Sequence, residues 1–309
     1  MDVIEVAGLH KHYRRLRGGT RTAVDGLDLA VPEGGVFGFL GPNGAGKTTT
    51  IRCLLGLVAP TAGTCRLLGA DTAGELHRVA GRVGSIVETP ALFPTMSGRR
   101  NLELLGRLHG IGPRRVTQTL ERVGLAERGD DLVKRYSLGM RQRLGLAAAL
   151  LKDPEVLILD EPANGLDPAG IKEVRDLLAG LGAEGRTVFV SSHLLSEVRQ
   201  TCDRVAILAR GRCMTAGPVA EVLASGHGAG LLVRLDDLDR GQAVLNATGI
   251  QASRNGDGLH VAVPLDQAAT VTKALAAQGL YLTELRPDEA DLEAVFLELT
   301  SQPPLEVAR

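Results

Sequence analysis

Short apolar runs open the chain at strand spacing. Val3–Val6, Thr22–Val31 and Val36–Leu40 read as strands, and the last leads straight into a glycine-rich segment. A helix is expected over about Lys47 to Leu57, ended by Gly56 and Pro60. Two further strand-like runs lie near Thr64–Leu68 and Arg82–Glu88. From about Thr89 to Leu151 the pattern changes. Leu102, Leu104, Leu105 and Leu108, then Val116, Leu120 and Val123, recur at helical spacing between Gly and Pro breaks, which predicts an all-helical insert. Val156–Leu159 is a continuous apolar run of the kind buried on both faces of a parallel sheet, and Thr187–Ser191 and Arg204–Leu208 resemble it. Strands with helices between them predict an α/β core.

After about Gly228 the pattern resets to a small unit with its own order. A strand (Leu231–Leu235), a helix (Leu238–Ala247), a strand (Ile250–Ser253), an Asn255-Gly256-Asp257-Gly258 turn, a strand (Leu259–Val263), a helix (Asp266–Gln278), a strand (Leu280–Leu285) and a helix (Glu289–Leu299) follow one another. The βαββαβ order predicts a small α+β, ferredoxin-like sandwich. The expected organisation is therefore a core domain over 1–228 carrying a helical subdomain over about 89–151, an accessory domain over 229–300, and a frayed tail over 301–309.

Composition narrows the function classes. With 44% hydrophobic and 23% charged residues, 309 residues can bury a core larger than one average domain. A net charge of −1 and no Trp, five Phe and three Tyr argue against a nucleic-acid binder. Cys53, Cys65, Cys202 and Cys213 form no CxxC pair and read as small apolar residues in a reducing compartment. The opening MDVIEVAGLHKHYRR lacks the apolar centre of a signal peptide. Apolar stretches such as Leu144 to Leu151 fall short of the roughly 18 residues that span a bilayer, so a cytoplasmic protein, at most peripheral to a membrane, is expected.

Gly41, Pro42, Asn43, Gly44, Ala45, Gly46, Lys47 and Thr48 fit GxxxxGK[ST] between an apolar strand and a helix, the context that the motif requires. The glycines let backbone N–H groups turn inward toward phosphate oxygens, and the helix adds its positive end. Lys47 supplies a mobile charge for the β- and γ-phosphates, and the Thr48 hydroxyl can ligate Mg²⁺. The complement is Val156-Leu157-Ile158-Leu159-Asp160-Glu161, which brings two acids to the carboxyl edge of a buried strand. Asp160 can hold Mg²⁺, and Glu161, pointing elsewhere, can polarise an attacking water.

With these residues the chain resembles an ABC-type P-loop ATPase. Tyr136-Ser137-Leu138-Gly139-Met140-Arg141-Gln142 stands where the family carries LSGGQ, with Leu138 and Met140 replacing the first Gly and the Gln. Asn164-Gly165-Leu166-Asp167 is similar to the family's D-loop, and Ser191-Ser192-His193 to its switch histidine. Tyr13 matches the aromatic that stacks on adenine, although a plain surface Tyr would look the same. The resemblance covers about Val3–Gly217. It implies a mixed or parallel sheet core, and ATP bound by Tyr13, the Gly41–Lys47 loop, Thr48 and Thr49. It also implies closure by Ser137, Gly139 and Asp167, and hydrolysis by Glu161 and His193. Two such subunits would pair head to tail, as a homodimer in the simplest case, and drive a separate transmembrane permease from the inner face of the cell membrane.

Glu88 stands where the family usually has Gln. Together with Ser137-Leu138-Gly139-Met140 it is similar to the subgroup that exports, or confers immunity to, bacitracin and lantibiotic-type peptides. Two readings stay open for it: a solvated loop acid, or a Mg²⁺-side sensor. The segment Asp291–Leu299 resembles accessory tails of exporter subunits, and Arg14, Arg15, Arg17 and Arg21 read as a solvated loop with phosphate or lipid contact as the alternative. A soluble ABC ATPase acting on nucleic acid or the ribosome would need a second nucleotide domain or a long coiled-coil insertion, and neither is present in the sequence. An ATP-binding module without turnover is disfavoured by Glu161 and His193.

Overall fold

A computed structural model describes residues 1–14, 18–88, 90–225 and 230–288. The expected helix Glu289–Leu299, the tail, Thr89, Arg15 and Arg17 lie outside the described residues. The chain divides into two compact units between Val219 and Ala220, against the change in pattern expected at Gly228.

In the first unit, β1 (Asp2–Arg14), β2 (Thr20–Pro32) and β3 (Gly35–Leu40) lead to α1 (Lys47–Leu54). β1 is far longer than the Val3–Val6 run because it pairs along β2, and its register shifts at four places. The shifts and Gly8, at φ +53°, break the alternation after Val6. α1 stops short of Leu57, since Gly56 turns left-handed and Leu57 stands exposed. β4 (Ala62–Leu67) and β5 (Ala70–Asp71) complete an antiparallel sheet in the order β2-β1-β4-β5.

β6 (Val83–Ile86) ends two residues before Glu88. Helices α2 (Gly98–Arg107), α3 (Pro113–Arg122) and α4 (Leu138–Leu150) then form the insert, tied at its base by one antiparallel bridge between Ser97 and Leu132. β7 (Val156–Asp160), α5 (Pro168–Ala183), β8 (Thr187–Ser192), α6 (Leu195–Thr201), β9 (Arg204–Ala209) and β10 (Arg212–Pro218) finish the unit. Six strands order as β10-β9-β3-β8-β7-β6, all parallel except the edge strand β10. α1 packs between this mixed sheet and the antiparallel one, and Ile51 and Leu54 are fully buried beside Phe39, Phe189 and Ile158. Strand order brings the carboxyl ends of β3, β7 and β8 together, where the first turn of α1 begins.

After α7 (Val219–Ser225), which begins at the division, the second unit contains β11 (Gly230–Leu235), α8 (Leu238–Ala247), β12 (Ala252–Asn255), β13 (Gly258–Val261), α9 (Ala268–Ala276) and β14 (Leu282–Asp288). Its sheet runs β12-β13-β11-β14, antiparallel throughout, which is the ferredoxin-like order, with the β12–β13 hairpin closed at Asn255–Gly258. Alternate residues Leu231, Val233 and Leu235 face Leu245 and Val271 in the core.

Candidate functional site

The loop between β3 and α1 is shaped by its glycines. Gly46 lies at φ +110°, and a Cβ there would approach the Ala23 carbonyl to 2.6 Å, so only glycine lets β2 press against the loop. The loop is also tied by backbone: Gly211 N–H donates to the Ala45 carbonyl and Asp25 N–H to the Gly211 carbonyl, both at 2.9 Å. Arg212 donates to Asp25 at 2.8 and 3.0 Å, and this hydrogen-bonded guanidinium holds the Asp25 carboxyl below the ordinary carboxylate range.

Lys47 opens α1 and is 6% exposed. Its Nζ donates to the Gly41 carbonyl at 2.6 Å and lies 3.1 Å from Glu161 Oε1. Glu161 Oε2 is in turn 2.7 Å from His193 Nδ1. Base, acid and imidazole thus form one chain across the carboxyl ends of β3, β7 and β8. Glu161 is aimed by its backbone, at φ +48°, with its N–H donating to the Ser191 carbonyl at 3.2 Å and to Ser191 Oγ at 3.0 Å. The same Ser191 hydroxyl donates to Asp160 Oδ1 at 2.5 Å, so one buried side chain fixes both strand-end acids. Asp160 is 4% exposed.

The cleft around this chain has a volume of about 440 Å³ and is lined by Pro42 through Thr49, Tyr13, Glu161 and His193. Arg21, from the arginine cluster, and Asn164, from the D-loop match, also line it, as do Ala23 and Arg52, which the sequence did not single out. Arg21 is the cross-strand partner of Tyr13, and Arg52 follows Thr48 by one helical turn, so both follow from pairing once the elements are known. The Tyr13 hydroxyl is buried without a partner, and Lys11 Nζ lies 5.0 Å from its ring centre. Hard oxygens at Thr48 and Asp160 suit a small divalent cation, and Lys47 on a glycine-rich loop at a helix start suits a polyphosphate.

A family model described as ABC transporter matches residues 24–164. The ABC transporter ATP-binding protein YhcH of Bacillus subtilis (strain 168), itself uncharacterised, is 41% identical over 99% of this chain and 98% of its own. The chain belongs to the ABC transporter ATP-binding proteins. It is an ATP-binding ATPase subunit of a transporter. Bacitracin transport ATP-binding protein BcrA of Enterococcus faecalis is 37% identical over 96% of both chains. A solved dimer of the ATP-binding cassette MJ0796, in a post-hydrolysis state with ADP and Pi, matches 70% of this chain and 98% of that one. At a TM-score of 0.64 and 23% identity, that match speaks for the fold.

In this ABC ATPase the remaining expected residues stand away from the cleft wall. Ser137 caps α4, its Oγ accepting the Met140 N–H at 3.2 Å, and Asp167 caps α5 by accepting the Gly170 N–H at 3.2 Å. The two caps are neighbours, since Gly139 lies against Leu166 and Leu138 against Gly165. Glu88 departs from the Mg²⁺-side expectation in this structure: its carboxylate is bonded to Arg52, it is 61% exposed, and it does not line the cleft. The cause is local, because β6 ends at Ile86 and the chain turns left-handed at Glu88. Among the described residues no helix is long and apolar enough to cross a membrane.

Proposed function

We propose that this ATPase powers export of a peptide antibiotic, drug or similar amphipathic compound through a separate membrane-spanning permease. It works from the cytoplasmic face of the cell membrane as a homodimer. The observation that carries the ATPase chemistry is the Lys47–Glu161–His193 chain inside one cleft. The class of cargo rests on likeness to a bacitracin transport ATP-binding protein over nearly the whole chain.

ATP sits with its adenine against Tyr13 and its phosphates in the amides of Gly41 to Thr49, with Lys47 leaving the Gly41 carbonyl for phosphate oxygens. Thr48 and Asp160 would hold Mg²⁺, which would supply charge neutralisation to the transferring phosphoryl group. Glu161, freed from Lys47, accepts a proton from water, and His193 orients it. Ser137 and Gly139 sit beside the Asp167 turn rather than over Lys47, which fits closure of the cleft by a second copy.

Glu161→Gln should slow single-turnover hydrolysis on the order of 10²–10⁴-fold with ATP affinity retained, whereas Lys47→Ala should lose affinity. Turnover of Glu161→Gln within about threefold of wild type removes the role assigned to that carboxylate. The cargo is read by producing the chain together with a candidate membrane-spanning permease and measuring uptake of an amphipathic peptide antibiotic. Glu161-dependent lowering of accumulation supports export, and unchanged accumulation counts against it.

A further inference from the structure

Two glutamates leave the carboxyl edge of the mixed sheet on left-handed backbone, and each is tethered to a base on the same helix. Glu161, at φ +48°, pairs with Lys47, and Glu88, at φ +62°, pairs with Arg52. β6 and β7 are parallel neighbours with Ile86 opposite Leu159, so the two carboxylates rise from adjacent strand ends. Both bases lie on α1 and line the nucleotide cleft, while Glu88 does not. Arg52 is 34% and Glu88 61% exposed, so their attraction is weak and solvent-screened and exchanges readily for a stronger anion. A triphosphate arriving at Thr48, one turn away, is that anion, since guanidinium binds phosphate oxygens in a bidentate fork.

We propose that Arg52 is a further positioning residue of the ATPase, which gives up the Glu88 carboxylate for a nucleotide phosphate when ATP binds. The proposal rests on the ATP site described above. Release of Glu88 is felt at the insert, because Pro90 packs on α4. A Cβ at Gly145 would lie 2.3 Å from the Pro90 ring, which leaves no slack between that segment and the helix capped by Ser137. Nucleotide occupancy thereby reaches α4 through a charge exchange, in parallel with the release of Glu161 by Lys47.

The test is hydrogen exchange of peptides covering residues 86–96 in the full chain, with and without Mg²⁺ and a non-hydrolysable ATP analogue, with calorimetry recording binding. In wild type, nucleotide should raise exchange there by about twofold or more. Glu88→Gln and Arg52→Gln should each exchange faster before nucleotide is added and respond little to it. The charge-swapped double variant, Arg52→Glu with Glu88→Arg, should regain slow exchange yet stay slow with nucleotide, because the carboxylate now on α1 has no attraction for phosphate. A pair that merely braces the fold would restore the nucleotide response in the swapped protein. That result overturns the exchange, as does a wild-type response in Arg52→Gln or an unresponsive wild type that binds the analogue. Failure of wild type to bind the analogue overturns the ATP site itself.

Discussion

Ser191 offers a sharp test of how the two strand-end acids are held. Its hydroxyl donates to Asp160 at 2.5 Å, accepts from the Glu161 N–H at 3.0 Å, and is fully buried. Ser191→Ala removes both bonds but leaves the Glu161 N–H its second acceptor, the Ser191 carbonyl at 3.2 Å. The loss therefore falls on Asp160, a buried carboxylate deprived of a charge-assisted bond, at a cost of about 1.5–3 kcal/mol. For a unit of this size, a loss of about 2 kcal/mol lowers the melting temperature by about 4–8 °C. The assay is denaturant unfolding of nucleotide-free protein, comparing Ser191→Ala, Asp160→Ala and the double variant in a mutant cycle. The two single changes should couple by more than about 1 kcal/mol, because removing Asp160 removes the group that the hydroxyl serves. Coupling below about 0.5 kcal/mol would refute the reasoning, since independent sites add to within that margin.

Two further outcomes follow from particular contacts. Asp25 is held below its ordinary pKa by Arg212, so the folded state gains stability that is present above the unfolded value and lost as pH falls through the lowered one. Arg212→Gln should cost up to about 1 kcal/mol from pH 7 down to about 5, with the penalty shrinking below about pH 4 in denaturant midpoints. A penalty that stays constant from about pH 7 down to about pH 3 would contradict this pairing of Asp25 with Arg212. Gly84→Ala should destabilise by about 1–3 kcal/mol, because its Cβ would meet the Ala149 carbonyl at 2.3 Å. An unchanged melting temperature would contradict the close approach of β6 and α4.

The features legible in sequence were those encoded by neighbours along the chain. The Gly41–Thr48 spacing, the doubly buried Val156–Leu159 run and the turn at Asn255–Gly258 each carry their own geometry, and the βαββαβ order sufficed for the ferredoxin-like sheet. The unread parts depend on distant partners. β1 continues to Arg14 because β2 supplies its hydrogen bonds across bulges that hide the alternation, and β10 (Arg212–Pro218) went unnoticed because this edge strand buries only Gly217 and so shows no apolar run. Arg21 and Arg52 carry no motif, and only cross-strand register and helical phase bring them into the cleft. The pairing of Glu88 with Arg52 spans 36 positions, so nothing near Glu88 announced it.

Glu161 occupies backbone that glycine or asparagine would adopt with less strain. A campaign that rewards heat resistance alone would drift toward those residues and yield sturdier proteins that idle. Breeding this scaffold for robustness therefore calls for a selection on work performed in every round, because survival and output pull in opposite directions at this one codon.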